Sequence, residues 1–388
     1  MNIKKEINFF INDMGKGGAE KVIYNLSNYF IKFKYQVNIF LLKKNVNYPL
    51  DKQIRVETFK NYKLISIFAL LFETKKKFLN KKFIISHLHI SNYINIVSSL
   101  FISKHKPIIV IHNHPLMYYY YTNKLLGIIK FLIHYLLQFF LYRFAYKVIV
   151  ISNEIKLFYK KFYLIDCDLI YNPISDTREL NITKNISNNF LKLKKCPILI
   201  IGSLIKLKNQ IELIKSIYLL KKIDINLLNK LHFYFIGAGP YEDRLKKMIS
   251  VNNLNNYVTF TGIIDNLNSY YQNCKYVIST SITEGMSNVL VESLSFNKPV
   301  IASNCSGSFE LLSNNADNLA SVKKKLNENF VSLNFGILYK KNNIEQLSKA
   351  MIKLYYDEKL YNKFINNISN SSDRFSINNS EQYKKLIA

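Results

Sequence analysis

The 388-residue sequence contains no tryptophan, four cysteines, seven prolines and eleven glycines. So few glycines and prolines exclude a collagen-like chain or a proline-rich linker protein. The cysteines Cys167, Cys196, Cys274 and Cys305 form no CxxC pair. Without such a pair or a Cys/His cluster, neither a zinc site nor a disulfide framework is indicated, and a reducing compartment is expected. Acid is scarce too: 26 Asp and Glu stand against 54 Lys and Arg, a formal net charge of +28. Part of that excess matches the Lys, Asn, Ile and Tyr drift of an AT-rich genome, but the field is real and attracts polyanions or anionic lipid. The first residues, Met-Asn-Ile-Lys-Lys-Glu, run into a strand-like segment with no apolar leader, and no spanning helix is expected. What the chain does have is 49% apolar residues and 14% aromatics, enough to bury two cores and to exclude disorder.

One rhythm runs through it. Short β-branched segments near residues 7–11, 37–42, 83–85, 108–111, 148–151, 169–171, 198–201, 233–236, 258–260, 276–279 and 300–302 alternate with longer amphipathic stretches. Apolar strands separated by helices predict parallel sheets covered on both faces. So many strands exceed one doubly wound sheet, and two are expected, with a seam between Asn172-Pro173 and Pro197 where the stretch 176–189 turns polar. Ligands of such sheets bind outside the carboxyl ends of the strands.

Glycine gathers at those ends in the second half, at Gly202, Gly237, Gly239, Gly262, Gly285 and Gly307. There it permits close backbone approach, and the helices that follow offer free N–H groups to phosphate. The segment Glu284-Gly-Met-Ser-Asn-Val-Leu-Val-Glu292 resembles the Glu-x7-Glu signature of retaining glycosyltransferase family 4. Lys298-Pro-Val-Ile-Ala-Ser303 and Ser306-Gly-Ser-Phe-Glu310 follow it in family order. So do Gly17-Gly18-Ala19-Glu20, Ser86-His87-Leu88, Ile111-His112-Asn113-His114-Pro115, Val150-Ile-Ser152, Tyr171-Asn172-Pro173 and Arg374-Phe375-Ser376 with its final helix. The resemblance spans essentially the whole chain.

It implies the GT-B architecture: two Rossmann-like doubly wound α/β domains facing across a cleft, with a C-terminal helix crossing back. The expected bounds are 1–175 for the acceptor domain, 176–370 for the nucleotide-sugar domain and 371–388 for the returning helix. It also implies the site. His112, Glu284 and Lys208 are the catalytic candidates. Gly17, Gly18, Ser203, Gly237, Gly262, Gly285, Met286, Ser287, Asn288, Val289 and Glu292 are the donor-binding ones, with His87 and His114 lining the cleft. A departing diphosphate needs a helix N-terminus and a fixed cation. Ser287, Asn288 and Val289 stand where a helix starts, with Asn288 as its expected cap, and Lys208 is the cation. Glu284 would reach the sugar hydroxyls and Glu292 the ribose hydroxyls; the competing explanation is acid placed at a helix start for dipole reasons. Where the family usually carries Arg-x4-Lys, this chain has Ser203, so one cation is lost unless Lys206 substitutes for it.

Asp166-Cys167-Asp168 has the metal-binding pattern of the other major glycosyltransferase architecture, but it precedes a strand. It is expected to be a solvated turn, and no metal and no cofactor are expected, the nucleotide-sugar being a substrate with UDP favoured over GDP. The stretch 122–143, preceded by Tyr118-Tyr-Tyr-Tyr121, is the most apolar helix pattern, with a narrow polar stripe of Lys130, His134, Gln138 and Tyr142. It suits either a membrane interface or a buried core. The expected activity is sugar transfer to a lipid-linked or glycan acceptor in bacterial surface polysaccharide assembly. The expected location is the cytoplasm, peripheral to the inner face of the membrane through anionic lipid. A sugar-nucleotide epimerase is the nearer alternative. A basic nucleic-acid-binding protein is the remoter one, since no RNP, zinc-finger or helix-turn-helix pattern occurs and no nucleic-acid partner is expected.

Overall fold

The computed structural model describes residues 5–59, 67–115, 117, 124–173, 195–313, 318–371 and 379–387, without the side chains of 67–69 and 124. Its chain divides into two compact units, Met1–Ser175 with Ile377–Ala388, and Asp176–Ser376. The polar stretch 176–189, the tyrosines 118–121 and Arg374-Phe375-Ser376 lie outside the described residues.

The first unit is built on β1 (Glu6–Ile11), β2 (Gln36–Leu41), β3 (Arg55–Thr58), β4 (Phe83–His87), β5 (Lys106–Ile111), β6 (Lys147–Val150) and β7 (Asp168–Leu169). They form one sheet in the order β3-β2-β1-β4-β5-β6-β7, and every pairing in it is parallel. β1 reads Glu-Ile-Asn-Phe-Phe-Ile and is buried from its second residue, as a strand covered on both faces must be. Phe10, Phe40, Phe59, Phe78, Ile84 and Ile102 pack into one core beside it. The helix Asn379–Leu386 buries Tyr383 and sets Lys384 Nζ 5.1 Å from the Phe33 ring, at the end of the helix Gly18–Lys32.

The second unit repeats the scheme with β8 (Cys196–Ile201), β9 (Leu231–Ile236), β10 (Val258–Gly262), β11 (Tyr276–Ser279), β12 (Val300–Ser303), β13 (Val331–Ser332) and β14 (Gly336–Tyr339). The order is β10-β9-β8-β11-β12-β14-β13, with β13 antiparallel to β14. β9, Leu-His-Phe-Tyr-Phe-Ile, is buried throughout. The core gathers Ile198, Leu213, Ile217, Phe233, Tyr276 and Leu354 among others. Apart from β13, each sheet has the parallel strands and order reversal of a doubly wound domain, which places the ligand end at the carboxyl ends of the strands.

Among the described residues, three strands stand beyond the eleven expected. β3 is an exposed edge strand, Arg-Val-Glu-Thr, without an apolar run. β13 has two residues. β14 is fully buried, but begins on glycine and is too short to announce itself. The apolar segment forms a helix, Lys124–Leu141, in the crossover between β5 and β6. Leu125–Phe144 is, by length and composition alone, long and apolar enough to cross a membrane.

Candidate functional site

The loops after β8 and β11 are stitched together. A short turn at Lys206–Lys208 ends on Asn209, whose left-handed backbone (φ 51°) starts the helix Gln210–Ile223. Asn209 tolerates that conformation better than a branched residue would. Across the gap, the Thr280 hydroxyl donates to the Lys208 carbonyl at 2.7 Å and the Ile282 amide donates to the Leu207 carbonyl at 2.8 Å. The backbone of Lys208 is therefore held on both sides, and its ammonium reaches Glu284 Oε1 at 2.8 Å.

Glu284 lies largely out of water. Burial alone would raise its carboxyl, but the Lys208 charge and hydrogen bond, with the Ser281 and Ser287 hydroxyls, outweigh that and hold it below 4.5. The carboxylate is thus ionised, and both Lys208 and the Ser281 hydroxyl donate to the same Oε1. Ser281 is fixed in turn, its carbonyl accepting from the Ser303 hydroxyl at 2.6 Å.

The helix Asn288–Ser295 begins one residue before the expected cap would allow. Ser287 is the N-cap and Asn288 is the first helical residue, and Ser287 makes no side-chain capping bond. Its hydroxyl turns to Glu284 instead. Gly285, Met286 and Ser287 are buried in this loop, and Asn288 and Val289 are half-buried at the helix start. Glu292 stands a turn further on, where Oε2 accepts from the Tyr271 hydroxyl at 3.0 Å.

The other glycines belong to the same sheet end. The Gly202 amide donates to the Ile236 carbonyl at 2.9 Å and the Gly237 amide to the Gly262 carbonyl at 2.8 Å. A Cβ on Gly307 would lie 2.6 Å from the Gly285 oxygen, so the β12 loop presses on the Glu284 loop. Ser203 and Lys206 are exposed beside them, and the Ser203 carbonyl accepts from Gln210 Nε2 at 3.0 Å. Eleven candidates, from Ser203 to Glu292, thus share the carboxyl edge of one sheet: Ser203, Lys208, Gly237, Gly262, Glu284, Gly285, Met286, Ser287, Asn288, Val289 and Glu292.

In the first unit, Gly17 and Gly18 follow β1 at the start of a helix, with Gly17 as its N-cap and the Glu20 carboxylate close against it. His87 ends β4 and His112 follows β5, and these three strands are neighbours in the sheet. His87 Nδ1 and His112 Nε2 are 2.7 Å apart in the interior. Burial, and for His87 also the neighbouring ring of His112, pushes both below 6.5, His112 to about 3. The pair is neutral, one ring donating and the other accepting. His114 packs edge-on against Phe158 at 4.5 Å, and Asp168 pairs with Lys147 at 3.4 Å at the edge strand β7. Among the described residues, no group of three or more His, Cys, Asp or Glu could hold a metal ion.

Sequence reasoning missed Thr280, Ser281 and Tyr271, whose roles come from partners 72, 3 and 21 residues away. It also missed His89 and Tyr159, which both bond Gln138 of the helix Lys124–Leu141, and Tyr93, which meets its His134. Ordinary serines, threonines and tyrosines carry no spacing signal that could have marked them.

The glycosyl transferases group 1 family matches residues 181–371 and glycosyltransferase family 4 matches residues 16–178. Two Campylobacter jejuni enzymes are similar over nearly their full length. One, a GalNAc-α-(1→4)-GalNAc-α-(1→3)-diNAcBac-PP-undecaprenol α-1,4-N-acetyl-D-galactosaminyltransferase, is 24% identical over 99% of this chain and 98% of its own. The other, an N-acetylgalactosamine-N,N'-diacetylbacillosaminyl-diphospho-undecaprenol 4-α-N-acetylgalactosaminyltransferase, is 26% identical over 96% of each chain. Among solved structures, Anabaena HepE in complex with UDP and glucose superposes with a TM-score of 0.75, at 18% identity and over 99% of both chains. With the two family matches lying end to end across both units, the chain belongs to the glycosyltransferases of family 4.

Proposed function

We propose that the protein transfers a sugar from a UDP-sugar to a lipid-linked glycan, with retention of the anomeric configuration and without a required metal, in bacterial surface polysaccharide assembly. The observation that carries this is the Lys208–Glu284 pair at the start of the helix Asn288–Ser295. The departing diphosphate is stabilised by Lys208 and by the amides of Ser287, Asn288 and Val289, which do the work of a divalent cation. Glu284 and Glu292 take the sugar and ribose hydroxyls, and Gly262, where a Cβ would meet nothing within 4 Å, leaves room for the nucleotide. His112 is the first unit's candidate for contact with the reacting sugar, as the family resemblance implies.

The acceptor hydroxyl oxygen bonds to the anomeric carbon on the face from which the carbon–phosphate oxygen bond breaks. The hydroxyl proton passes to the leaving phosphate oxygen, giving the glycoside and UDP. UDP is favoured because HepE holds it in a similar fold, and a polyprenyl diphosphate-linked acceptor because both Campylobacter relatives are named for one. The test is transfer from a panel of UDP- and GDP-sugars to an undecaprenyl diphosphate-linked acceptor, with proton NMR of the product. An axial linkage from an axial donor, insensitive to EDTA, is expected; an inverted linkage overturns the mechanism, and loss of turnover with EDTA overturns metal independence.

A further inference from the structure

The helix Lys124–Leu141 is inside out. An amphipathic helix on a protein surface normally buries its apolar stripe and shows its polar one to water. Here the polar stripe turns inward along its second half: Lys130 stays exposed, His134 is half-buried, and Gln138 and Tyr142 are buried. Gln138 is 0% exposed and Tyr142, just beyond the helix, 1%, whereas Leu125 is 71%, Leu132 50%, Leu136 53% and Phe140 61% exposed. The inward stripe is pinned by hydrogen bonds. Gln138 Nε2 donates to His89 Nδ1 at 3.1 Å, and Gln138 Oε1 accepts from the Tyr159 hydroxyl at 2.6 Å. Tyr142 lies 3.2 Å from His89, and His134 Nδ1 2.9 Å from the Tyr93 hydroxyl. Rolling the apolar side chains inward would break these contacts and strand Gln138 and His89, so the face is committed outward.

The apolar surface continues onto the neighbouring helical segment. The Tyr135 hydroxyl donates to the Phe162 carbonyl at 2.9 Å, and Arg143 Nη2 to the Tyr163 carbonyl at 2.9 Å. That segment also turns Leu157, Phe162 and Leu164 to the outside. Contiguous exposed apolar area of this kind marks an interaction surface. Its charge is one-sided: residues 124–164 contain seven Lys or Arg and one acid, Glu154. Lys160 and Lys161 are exposed within the patch, and Arg143 is exposed at its edge with its guanidinium 3.9 Å from the Phe139 ring centre.

We infer that this face lies in the headgroup region of an anionic bilayer, with Leu125, Leu132, Leu136 and Phe140 in the acyl boundary and Lys160, Lys161 and Arg143 on the phosphates. An apolar face ringed by basic and aromatic side chains is the composition that such interfaces select. Lipid is favoured over a second copy of the chain because two such faces, each strongly basic, would repel. The helix lies along the membrane rather than through it. It belongs to the connection between the paired strands β5 and β6, and its buried stripe is bonded to the rest of the unit. Crossing would carry Gln138 and His134 into hydrocarbon.

The absence of tryptophan makes insertion directly readable. Leu136→Trp provides a single tryptophan on the face, excited selectively at the red edge, and Val251→Trp, exposed in the second unit, provides the control. With vesicles of phosphatidylglycerol and phosphatidylcholine, Leu136→Trp shifts to the blue and is quenched by brominated acyl chains, while Val251→Trp does neither. Joint replacement of Leu132, Leu136 and Phe140 by Ser lowers the vesicle partition coefficient at least ~100-fold, because three apolar side chains leave the acyl boundary together. Lys160→Glu with Lys161→Glu weakens binding to anionic vesicles and leaves the weak binding to pure phosphatidylcholine unchanged. Because these side chains are exposed, the circular dichroism and UDP affinity of the variants match wild type, which separates lost lipid contact from a misassigned donor site. An unshifted Leu136→Trp spectrum, or wild-type partitioning of the triple variant, overturns the inference. So does a dimer that the triple variant dissociates, without vesicle binding by wild type.

Discussion

Lys208 and Glu284, 76 positions apart in sequence, meet as an ion pair at 2.8 Å across the loops that follow two adjacent strands, β8 and β11. Neither is placed by its own loop alone. The bonds from Thr280 and Ile282 to the Lys208 loop fix the separation, and Ser281 and Ser287 orient the carboxylate. Removing either partner breaks a charge-assisted contact in a dry setting, so Lys208→Ala and Glu284→Ala are each expected to lower turnover at least ~100-fold with folding intact. Steady-state rates with circular dichroism check this. Glu292→Ala is expected to act mainly on KM for the donor.

The pair also sets a pH dependence. Glu284 titrates below its ordinary 4.5 in the folded protein, so it contributes stability that is fully present above 4.5 and lost as pH falls through the lowered folded value. In Lys208→Met both Lys208 contributions are lost while burial remains, so the carboxyl moves up. Carbon-detected NMR of the Glu284 carboxyl is expected to show titration below 4.5 in wild type and at higher pH in the variant.

The buried histidines give the opposite end of the scale. His112, His89 and His87 are held neutral by burial, with neighbouring rings adding to it for the last two, and His112 and His89 are pushed down to about 3. Unfolded, each would protonate near 6.5, so the unfolded chain binds more protons between those values. Stability is full above 6.5 and falls as pH drops toward about 3. The slope is up to about 1.4 kcal/mol per pH unit for each ring. Hydrogen exchange of the β4 and β5 amides between about pH 7 and about pH 5 is the measurement, and His87→Phe is expected to flatten it.

Two glycines hold the ligand end of the second sheet together. Gly237, at φ +140°, would put a Cβ into the Gly202 carbonyl, and Gly307, at φ +80°, would put one against Gly285. Gly237→Ala and Gly307→Ala are each expected to cost about 1–3 kcal/mol and to weaken UDP binding, because relief of either clash moves a site loop. Urea unfolding and nucleotide titration together check both effects.

The two parallel sheets were legible because buried strands in this chain are continuous β-branched and aromatic runs, as in β1 and β9. β3 and β13 were not, since an exposed four-residue edge and a two-residue pairing are fixed by their neighbours rather than by their own residues. Most candidate donor residues were legible through the family pattern of glycine and acid at strand ends. The cap was misplaced because Ser287 and Asn288 are both good capping residues, and the Ser287 hydroxyl's bond to Glu284 is a tertiary matter. The direction of the apolar helix was open in sequence for a similar reason: periodicity finds the polar stripe, but not what lies against it.

Ser203 stands where the family resemblance implies an arginine, and it lies exposed on the same edge as Lys208. Ser203→Arg is expected to tighten UDP about tenfold, the scale of one added charge-assisted hydrogen bond to the diphosphate. The wild-type protein should show a correspondingly steeper dependence on Lys208.

The most direct measurement is calorimetric titration of UDP into wild type and Lys208→Ala. Wild type is expected to show a single UDP site that the substitution weakens by at least ~100-fold, the cost of removing the fixed cation from a diphosphate. Equal UDP affinity in the two proteins would contradict it.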